Sequence, residues 1–502
     1  MEDSQVVSWY KDQHIFVTGA TGFMGKILIE KLLRSCPDVG GIYILVRQKK
    51  GQKPSKRLPE YLQNEIFDKV RALPDSINRF QKLHCICGDI TETNCALSDR
   101  DLTTISEKIT IVFHMAACVR FDQPLKDIVM MNVGGTRNIL DVATKLKQLK
   151  VFLHVSTSYC HLDLPELEEK IYPAKHDPWK MLDAVQWMDE EMLNSLTPVL
   201  LKGYPNTYAY AKCLTEQLVS DYSEKVPIVI ARPSIVVAAY KEPIPGWVDN
   251  LNGPTGILIG AGKGVIRTMH CNTQLVADIV PVDMVINSML LAAWEQGVRQ
   301  LKAGAEVYNI TANRDQPVSW GEALEIGRKY VFQYPYSTCL WYPGGSPKSN
   351  YMVHVVAAFF FHLLPAYFID VMMSLTGNKP FMVRTQKRIQ HGLNLLQYYT
   401  TRTWIFHNDR IKKIYDSLSE KDKEIFYTNR ELLKFDEFML NYILGARKYC
   451  VKEEYDTVPY ARKVLKRLYY LDMLKNILLF ALVLWIAHVL ATTFLVKSNF
   501  TS

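Results

Sequence analysis

His14-Ile15-Phe16-Val17-Thr18-Gly19-Ala20-Thr21-Gly22-Phe23-Met24-Gly25 joins a short apolar run to three glycines, and a helical pattern follows from Lys26 to Arg34. A short apolar run that ends in a glycine turn reads as a buried strand. The glycines permit a tight turn, close backbone approach to a pyrophosphate, and close packing of the next helix on the strand. The N-terminus of that helix adds unpaired N–H groups and the positive end of a dipole, which suit an anion. Thr18, Gly19, Thr21, Gly22, Phe23, Met24 and Gly25 are therefore the candidate dinucleotide contacts.

Further apolar runs follow at Gly41–Val46, Leu83–Cys87, Ile109–Met115, Val151–Val155 and Val226–Ala231. Helical periodicity separates most of them, as in Gly135–Leu146 and Tyr210–Tyr222. Strands alternating with helices predict a doubly wound α/β domain, a parallel sheet covered on both faces, over residues 10–334. NAD-binding domains place a carboxylate about 20 residues beyond the glycine turn to take the ribose hydroxyls. From Val39 to Pro59 this chain has no acidic residue and offers Arg47, Lys49, Lys50, Lys53, Lys56 and Arg57 instead. A guanidinium grips a 2′-phosphate that a carboxylate would repel. The cofactor expected is NADPH, with Arg47 as its contact and Lys53 and Lys56 in a solvated loop. Asp89, after the third run, either accepts from the adenine amine or closes a strand-end turn.

Tyr208-Ala209-Tyr210-Ala211-Lys212 sets a phenol and an ammonium one helical turn apart on a shared face. A nearby cation lowers a phenol's pKa and makes it a better proton carrier, and the lysine can also bond a nicotinamide ribose. Ser156-Thr157-Ser158 ends the fifth strand at the carboxyl edge, where open α/β sheets bind ligands. Thr157, with Ser156 second, is the candidate hydroxyl that polarises a carbonyl. Cys160 offers a rival covalent chemistry, but no nearby residue marks it as activated.

Pro335–Asn350, rich in proline, glycine and serine, reads as a linker to a helical region at 351–460. Tyr351–Leu375 is long enough to span a bilayer, yet it contains His354, His362, Pro365 and Asp370, so a buried or interfacial helix is expected. Its aromatic residues are also candidates to line an acyl channel. No acidic or cysteine partner stands at ligand spacing from the two histidines, and no metal is expected. Residues 476–496 are almost wholly apolar and read as a transmembrane helix. Arg462, Lys463, Lys466 and Arg467 precede it, which predicts a single-pass anchor with the large N-terminal part in the cytosol. The formal charge of +8 suits an anionic ligand or membrane face, and no block of basic and aromatic residues points to nucleic acid. The ten cysteines lack metal or disulfide-scaffold spacing, and the first residues carry no signal core.

Together the glycine turn, Thr157, Tyr208 and Lys212 resemble the extended short-chain dehydrogenase/reductase superfamily. Phe113-His114-Met115-Ala116-Ala117, Tyr204-Pro205-Asn206-Thr207-Tyr208, Arg232-Pro233-Ser234, Pro281-Val282-Asp283 and the segment from Lys241 to Pro254 narrow the likeness. They resemble alcohol-forming fatty acyl-CoA reductases, and the helical half resembles that family's male-sterility domain. Met24 stands where leucine is common, and the stretch between Cys160 and Tyr172 differs. The resemblance implies reduction of a long-chain fatty acyl-CoA to an alcohol by two hydride transfers from NADPH, with release of CoA. It also implies a membrane setting, in peroxisome or endoplasmic reticulum. Two rivals share the glycine turn: a membrane-anchored steroid or sterol dehydrogenase, and an NADPH-binding scaffold without turnover.

Overall fold

In the computed structural model, residues 4–48, 54–299, 304–312 and 317–499 are described. The central sheet contains β1 (His14–Thr18), β2 (Gly41–Val46), β3 (Leu83–Cys87), β4 (Ile111–His114), β5 (Val151–Val155), β6 (Ile228–Pro233) and β7 (Ala305–Ile310). They lie in the order β7-β6-β5-β4-β1-β2-β3, and every pairing is parallel. The chain thus winds outward in opposite directions from β1 and β4, and their carboxyl ends frame a crevice. The fold is a doubly wound α/β domain, followed by a helical C-terminal region. Ile15, Val17, Ile42, Ile44 and Phe113 enter one core layer, while Phe16, Tyr43, Leu45, Val112 and Phe152 enter the other. Burial on both faces is why these strands read as unbroken apolar runs. The edge strand β7 escapes that reading because Glu306 and Asn309 interrupt it.

Helix α1 (Phe23–Ser35) follows the glycine turn, and the segment from Lys241 to Pro254 folds back onto it. Lys31 and Arg34 pair with Glu242 at 2.7 and 2.8 Å, Lys26 pairs with Asp249, and Phe23 stacks on the buried Trp247. The far side of the same segment meets helix α2 (Phe435–Gly445). A Cβ on Gly445 would lie 1.7 Å from the Gly246 carbonyl oxygen, and one on Gly246 would lie 1.9 Å from that of Asn441. Gly246 also has a φ of 76°, which side-chain-bearing residues rarely adopt.

Residues 335–350 are packed in place. Tyr336 is buried, and Ser346–Lys348 pairs in parallel with Thr268–His270. Leu393, Ile411, Phe426, Phe438 and Ile443 from the helical region share the core layer that lines one face of the sheet. The divergent stretch before Tyr172 also joins this region, since Glu166–Leu167 pairs with Ile405–Phe406.

Among the described residues, two helices, Tyr351–Leu375 and Tyr455–Val489, are long and apolar enough to cross a membrane. In the first, His354 and His362 turn inward and are buried, whereas Phe359, Phe360 and Phe361 turn outward and are exposed. These aromatic side chains therefore do not line an interior channel. The second belongs to a helix that runs from Val458 to Asn499.

Candidate active site

The turn between β1 and α1 closes through a 3.0 Å bond from the Gly22 N–H to the Gly19 carbonyl. Gly19 has φ 76°, and a Cβ there would lie 2.8 Å from the Ala116 nitrogen at the end of β4. A Cβ on Gly25 would lie 2.3 Å from the Gly19 carbonyl oxygen. Only glycine lets the turn, the helix and the neighbouring strand approach this closely. Gly22 caps α1 with no side chain, so the first N–H groups of the helix stay available to an anion. Thr21 and Gly22 are exposed and Phe23 and Met24 half-buried, which leaves a cradle open at the sheet edge.

Thr18 is fully buried, and its hydroxyl is engaged within the protein. The Met115 and Ala116 N–H groups donate to it at 3.2 Å, so its own proton goes to His114 Nδ1 at 2.8 Å. His114 then carries its proton on Nε2 and donates to the Thr136 hydroxyl at 3.0 Å, which in turn donates to the Asn132 carbonyl at 2.6 Å. This chain locks the ends of β1 and β4 together, and burial, followed by the Lys212 charge, pushes the His114 imidazole down to about 3. Thr18 is thus placed to shape the cradle rather than to reach out of it.

Arg47, at the end of β2, is exposed and lies 3.9 Å from the Asp89 carboxylate. The other oxygen of Asp89 accepts from the Thr91 N–H and hydroxyl at 3.0 and 2.9 Å, which is the strand-end turn. Lys49, Lys50 and Lys53 lie outside the described residues, as do the side chains of Lys56 and Arg57.

Tyr208 and Lys212 stand on helix α3 (Thr207–Asp221). Asn206 caps it by accepting from the Ala209 N–H at 2.9 Å. The Lys212 ammonium is buried and donates to the Val155 carbonyl at the end of β5 at 2.7 Å, which brings it beside Ser156 and Thr157. The Thr157 hydroxyl accepts from the Tyr159 N–H at 3.2 Å and keeps its proton for another acceptor. The Ser156 hydroxyl is buried without a partner among the described residues. Burial pushes Lys212 down to about 8, against the opposing pull of Glu216 and Cys160. Burial, and then Tyr399, raises the Tyr208 phenol above its ordinary value. The expected lowering of the phenol by Lys212 is therefore not present in the free protein. The ammonium is spent on Val155, and the apolar surroundings dominate.

Those surroundings come from distant sequence. The rings of Tyr208 and Tyr399 each lie 5.5 Å from that of Phe121, and Tyr159 stands edge-on to both Tyr399 and Trp404. The Asn206 amide also donates to the Tyr399 hydroxyl at 2.9 Å, so the residue that caps α3 also holds this aromatic wall. The only sequence signal for the wall was the aromatic density of Tyr398-Tyr399-Thr400-Thr401-Arg402-Thr403-Trp404.

One turn beyond Lys212, Glu216 is buried in a fork with the equally buried Arg232, at 2.8 and 2.5 Å. Burial pushes the Glu216 carboxyl up, but Arg232 and His161 outweigh it and hold the group well below the carboxylate range. Arg232 further donates to the Glu168 and Lys170 carbonyls at 3.2 and 3.0 Å. Cys160 is fully buried and donates to Glu216 at 3.3 Å, and burial pushes its thiol up, the reverse of an activated nucleophile. Cys160, His161 and Glu216 stand close enough to hold a metal ion, but the Arg232 guanidinium already occupies both oxygens of the carboxylate.

A family model described as male sterility protein, NAD-binding, matches residues 17–289, and a second model of the same description matches residues 361–453. Fatty acyl-CoA reductase 1 of Xenopus laevis is 40% identical over 92% of this chain and 89% of its own length. Fatty acyl-CoA reductase 2 of Homo sapiens is 36% identical over 96% of this chain and 93% of its own. Among solved structures, the terminal R domain of the myxalamid PKS-NRPS pathway superposes with a TM-score of 0.58 at 18% identity, covering 88% of this chain and 92% of that one. The reductase domain of a Mycobacterium tuberculosis non-ribosomal peptide synthetase gives 0.54 at 16% identity, over 90% and 96%. These two likenesses are of fold.

Proposed function

From its membership of the fatty acyl-CoA reductase family, which makes this chain an oxidoreductase with an NAD(P)-binding domain, we propose that it reduces long-chain fatty acyl-CoA to the primary alcohol at the expense of NADPH. One observation carries the reading. Lys212, fixed to the end of β5, and Tyr208 one turn earlier converge on the sheet edge that presents Thr157.

The glycine cradle fits a dinucleotide, because Gly22 leaves the first N–H groups of α1 uncapped beside a turn whose Thr21 and Gly22 are exposed. The free N–H groups of α1 would hold the pyrophosphate and Arg47 the 2′-phosphate, with Asp89 close by. NADPH supplies hydride when bound. Thr157 and Tyr208 donate hydrogen bonds to the carbonyl oxygen of the thioester as negative charge grows there. Tyr208 then passes its proton to that oxygen. Lys212, held at the end of β5, would bond the nicotinamide ribose and so tie the cofactor's position to this proton transfer. Collapse of the resulting hemithioacetal releases CoA as a thiol and leaves an aldehyde. The same residues polarise and protonate the aldehyde, so two hydrides and two protons give alcohol plus CoA. The walls of Phe121, Tyr399 and Trp404 exclude water from the charge that forms. The apolar stretch 476–496 of the helix Val458–Asn499 serves as a single-pass anchor at the peroxisome or the endoplasmic reticulum, with Arg462, Lys463, Lys466 and Arg467 ahead of it keeping the catalytic part in the cytosol.

Purified chain given palmitoyl-CoA and NADPH is expected to consume the cofactor and yield hexadecanol, read by absorbance and by chromatography of the lipid. NADH in its place is expected to cost about tenfold in kcat/KM, the scale of one lost charge-assisted contact. Absence of oxidation with any acyl-CoA would sink the proposal, and a sterol product would favour the dehydrogenase reading.

The buried ammonium also sets a pH limit. Lys212 is charged below about 8 and loses its proton above it. The kcat/KM of the free enzyme should therefore fall as pH rises through that value. In Lys212→Arg, whose guanidinium stays protonated, the alkaline limb should vanish even though turnover is lower. A wild-type profile that stays flat to pH 10 would contradict the assignment.

A further inference from the structure

The helix Tyr351–Leu375 is inside out. Its inward stripe is His354, Ala358, His362 and Ala366, with both histidines 2% exposed. Its outward face carries Phe360 at 54%, Phe368 at 67% and Leu375 at 77%, among many other large apolar side chains. The two histidines bind the body of the protein, His354 through the Thr268 hydroxyl at 3.2 Å and His362 through the Arg267 N–H at 2.8 Å. A helix that faces water and a core carries the opposite pattern.

We propose that this helix and the next, Met382–Thr400, form a hairpin that dips into the surface of an anionic bilayer without crossing it, on the side from which the C-terminal anchor enters. The proposal rests on the anchor reading for its orientation.

Three observations support it. First, the chain returns at once. The Asp370 carboxylate accepts from the Phe381, Met382 and Val383 N–H groups at 2.8 to 3.0 Å and so caps the returning helix. That helix ends at Thr400, whose hydroxyl donates to the His270 carbonyl at 2.9 Å, and it carries Arg384, Lys387 and Arg388, which would be costly within hydrocarbon. Second, these three cations are exposed on the returning helix, which packs against Leu364–Leu375, and line an open groove with Arg120, Asp122 and His391. An apolar face flanked by cations matches a surface of acyl chains and anionic headgroups. Third, the hairpin and the anchor share a root. The Arg267 guanidinium lies 5.7 Å from the Phe361 ring and 3.6 Å from the Asp472 carboxylate, just ahead of the apolar run that begins at Asn476.

The test uses the full-length chain and vesicles of phosphatidylcholine with phosphatidylserine. Leu479→Lys, Val483→Lys and Ile486→Lys together disable the anchor. This variant is expected to float with the vesicles and to be released by alkaline carbonate. Adding Phe360→Glu and Phe368→Glu should lower its bound fraction by about tenfold or more. Both variants should retain the parent's reductase activity in detergent, which reports the fold, because the changed side chains face outward. A bound fraction indifferent to the two glutamates overturns the proposal, as does an anchor-disabled chain that never floats. Carbonate resistance of that chain would mean that the hairpin crosses, and also overturns it. The unmodified chain reports the anchor separately. If carbonate releases it, the anchor reading fails, while the hairpin is still judged by the effect of the two glutamates on flotation.

Discussion

Tyr208→Phe is expected to lower kcat by about 10² to 10⁴-fold, the range for loss of a positioned acid–base group. KM for acyl-CoA and the affinity for NADPH should change little. The substituted ring keeps its place 5.5 Å from Phe121, so the aromatic wall persists. The hydroxyl makes no hydrogen bond to another described residue, so its removal orphans no buried partner. Loss should therefore be confined to the transition state. Steady-state kinetics with cofactor binding followed by fluorescence separates the two. Turnover within a factor of two of wild type would refute the assignment, and an equal fall in cofactor affinity would make Tyr208 a binding residue.

Glu216→Ala is expected to cost stability on the order of 3 to 5 kcal/mol, because it strands the Arg232 guanidinium in the interior. Arg232 would keep its two backbone carbonyl partners but lose both oxygens of its counter-ion. Replacing both members, as Glu216→Leu with Arg232→Met, should recover most of the loss, since the apolar pair leaves no guanidinium without its counter-ion. Thermal unfolding of the detergent-solubilised chain reads both. The linkage also has a sign. A carboxyl held below its ordinary value stabilises the fold above the unfolded pKa, and this contribution is lost as pH falls through the folded value. Acid should therefore destabilise the wild type more than the double variant. A single Glu216→Ala chain that melts with the wild type would show that the fork contributes nothing.

The bounds of β2 and β5 agree with the apolar runs because both faces of the parallel sheet are buried there, so no polar residue blurs their ends. The Tyr208 and Lys212 pair was legible for a similar reason, since the spacing of one helical turn is local. What could not be read locally was what each group touches. The Val155 carbonyl that takes Lys212 lies on another element, and Tyr399, held by Asn206, lies almost two hundred residues from the helix it covers. Hydrophobicity likewise marked Tyr351–Leu375 as apolar without telling which way it faces. Only the contacts of His354 and His362 reveal that its polar side is the inner one. Residues 335–350 had the composition of a loose connection, but Ser346–Lys348 finds its partner in Thr268–His270, which no local pattern announces.

The contact between Gly246 and Gly445 constrains how enzymes of this kind can be recombined. With main chains touching at that point, a hybrid that takes its reductase half from one parent and its helical half from another inherits two surfaces that tolerate no added methyl group. A workable crossover would therefore transfer the strip from Lys241 to Pro254 together with the C-terminal half, and the α1 charges that clasp this strip would have to be matched to it.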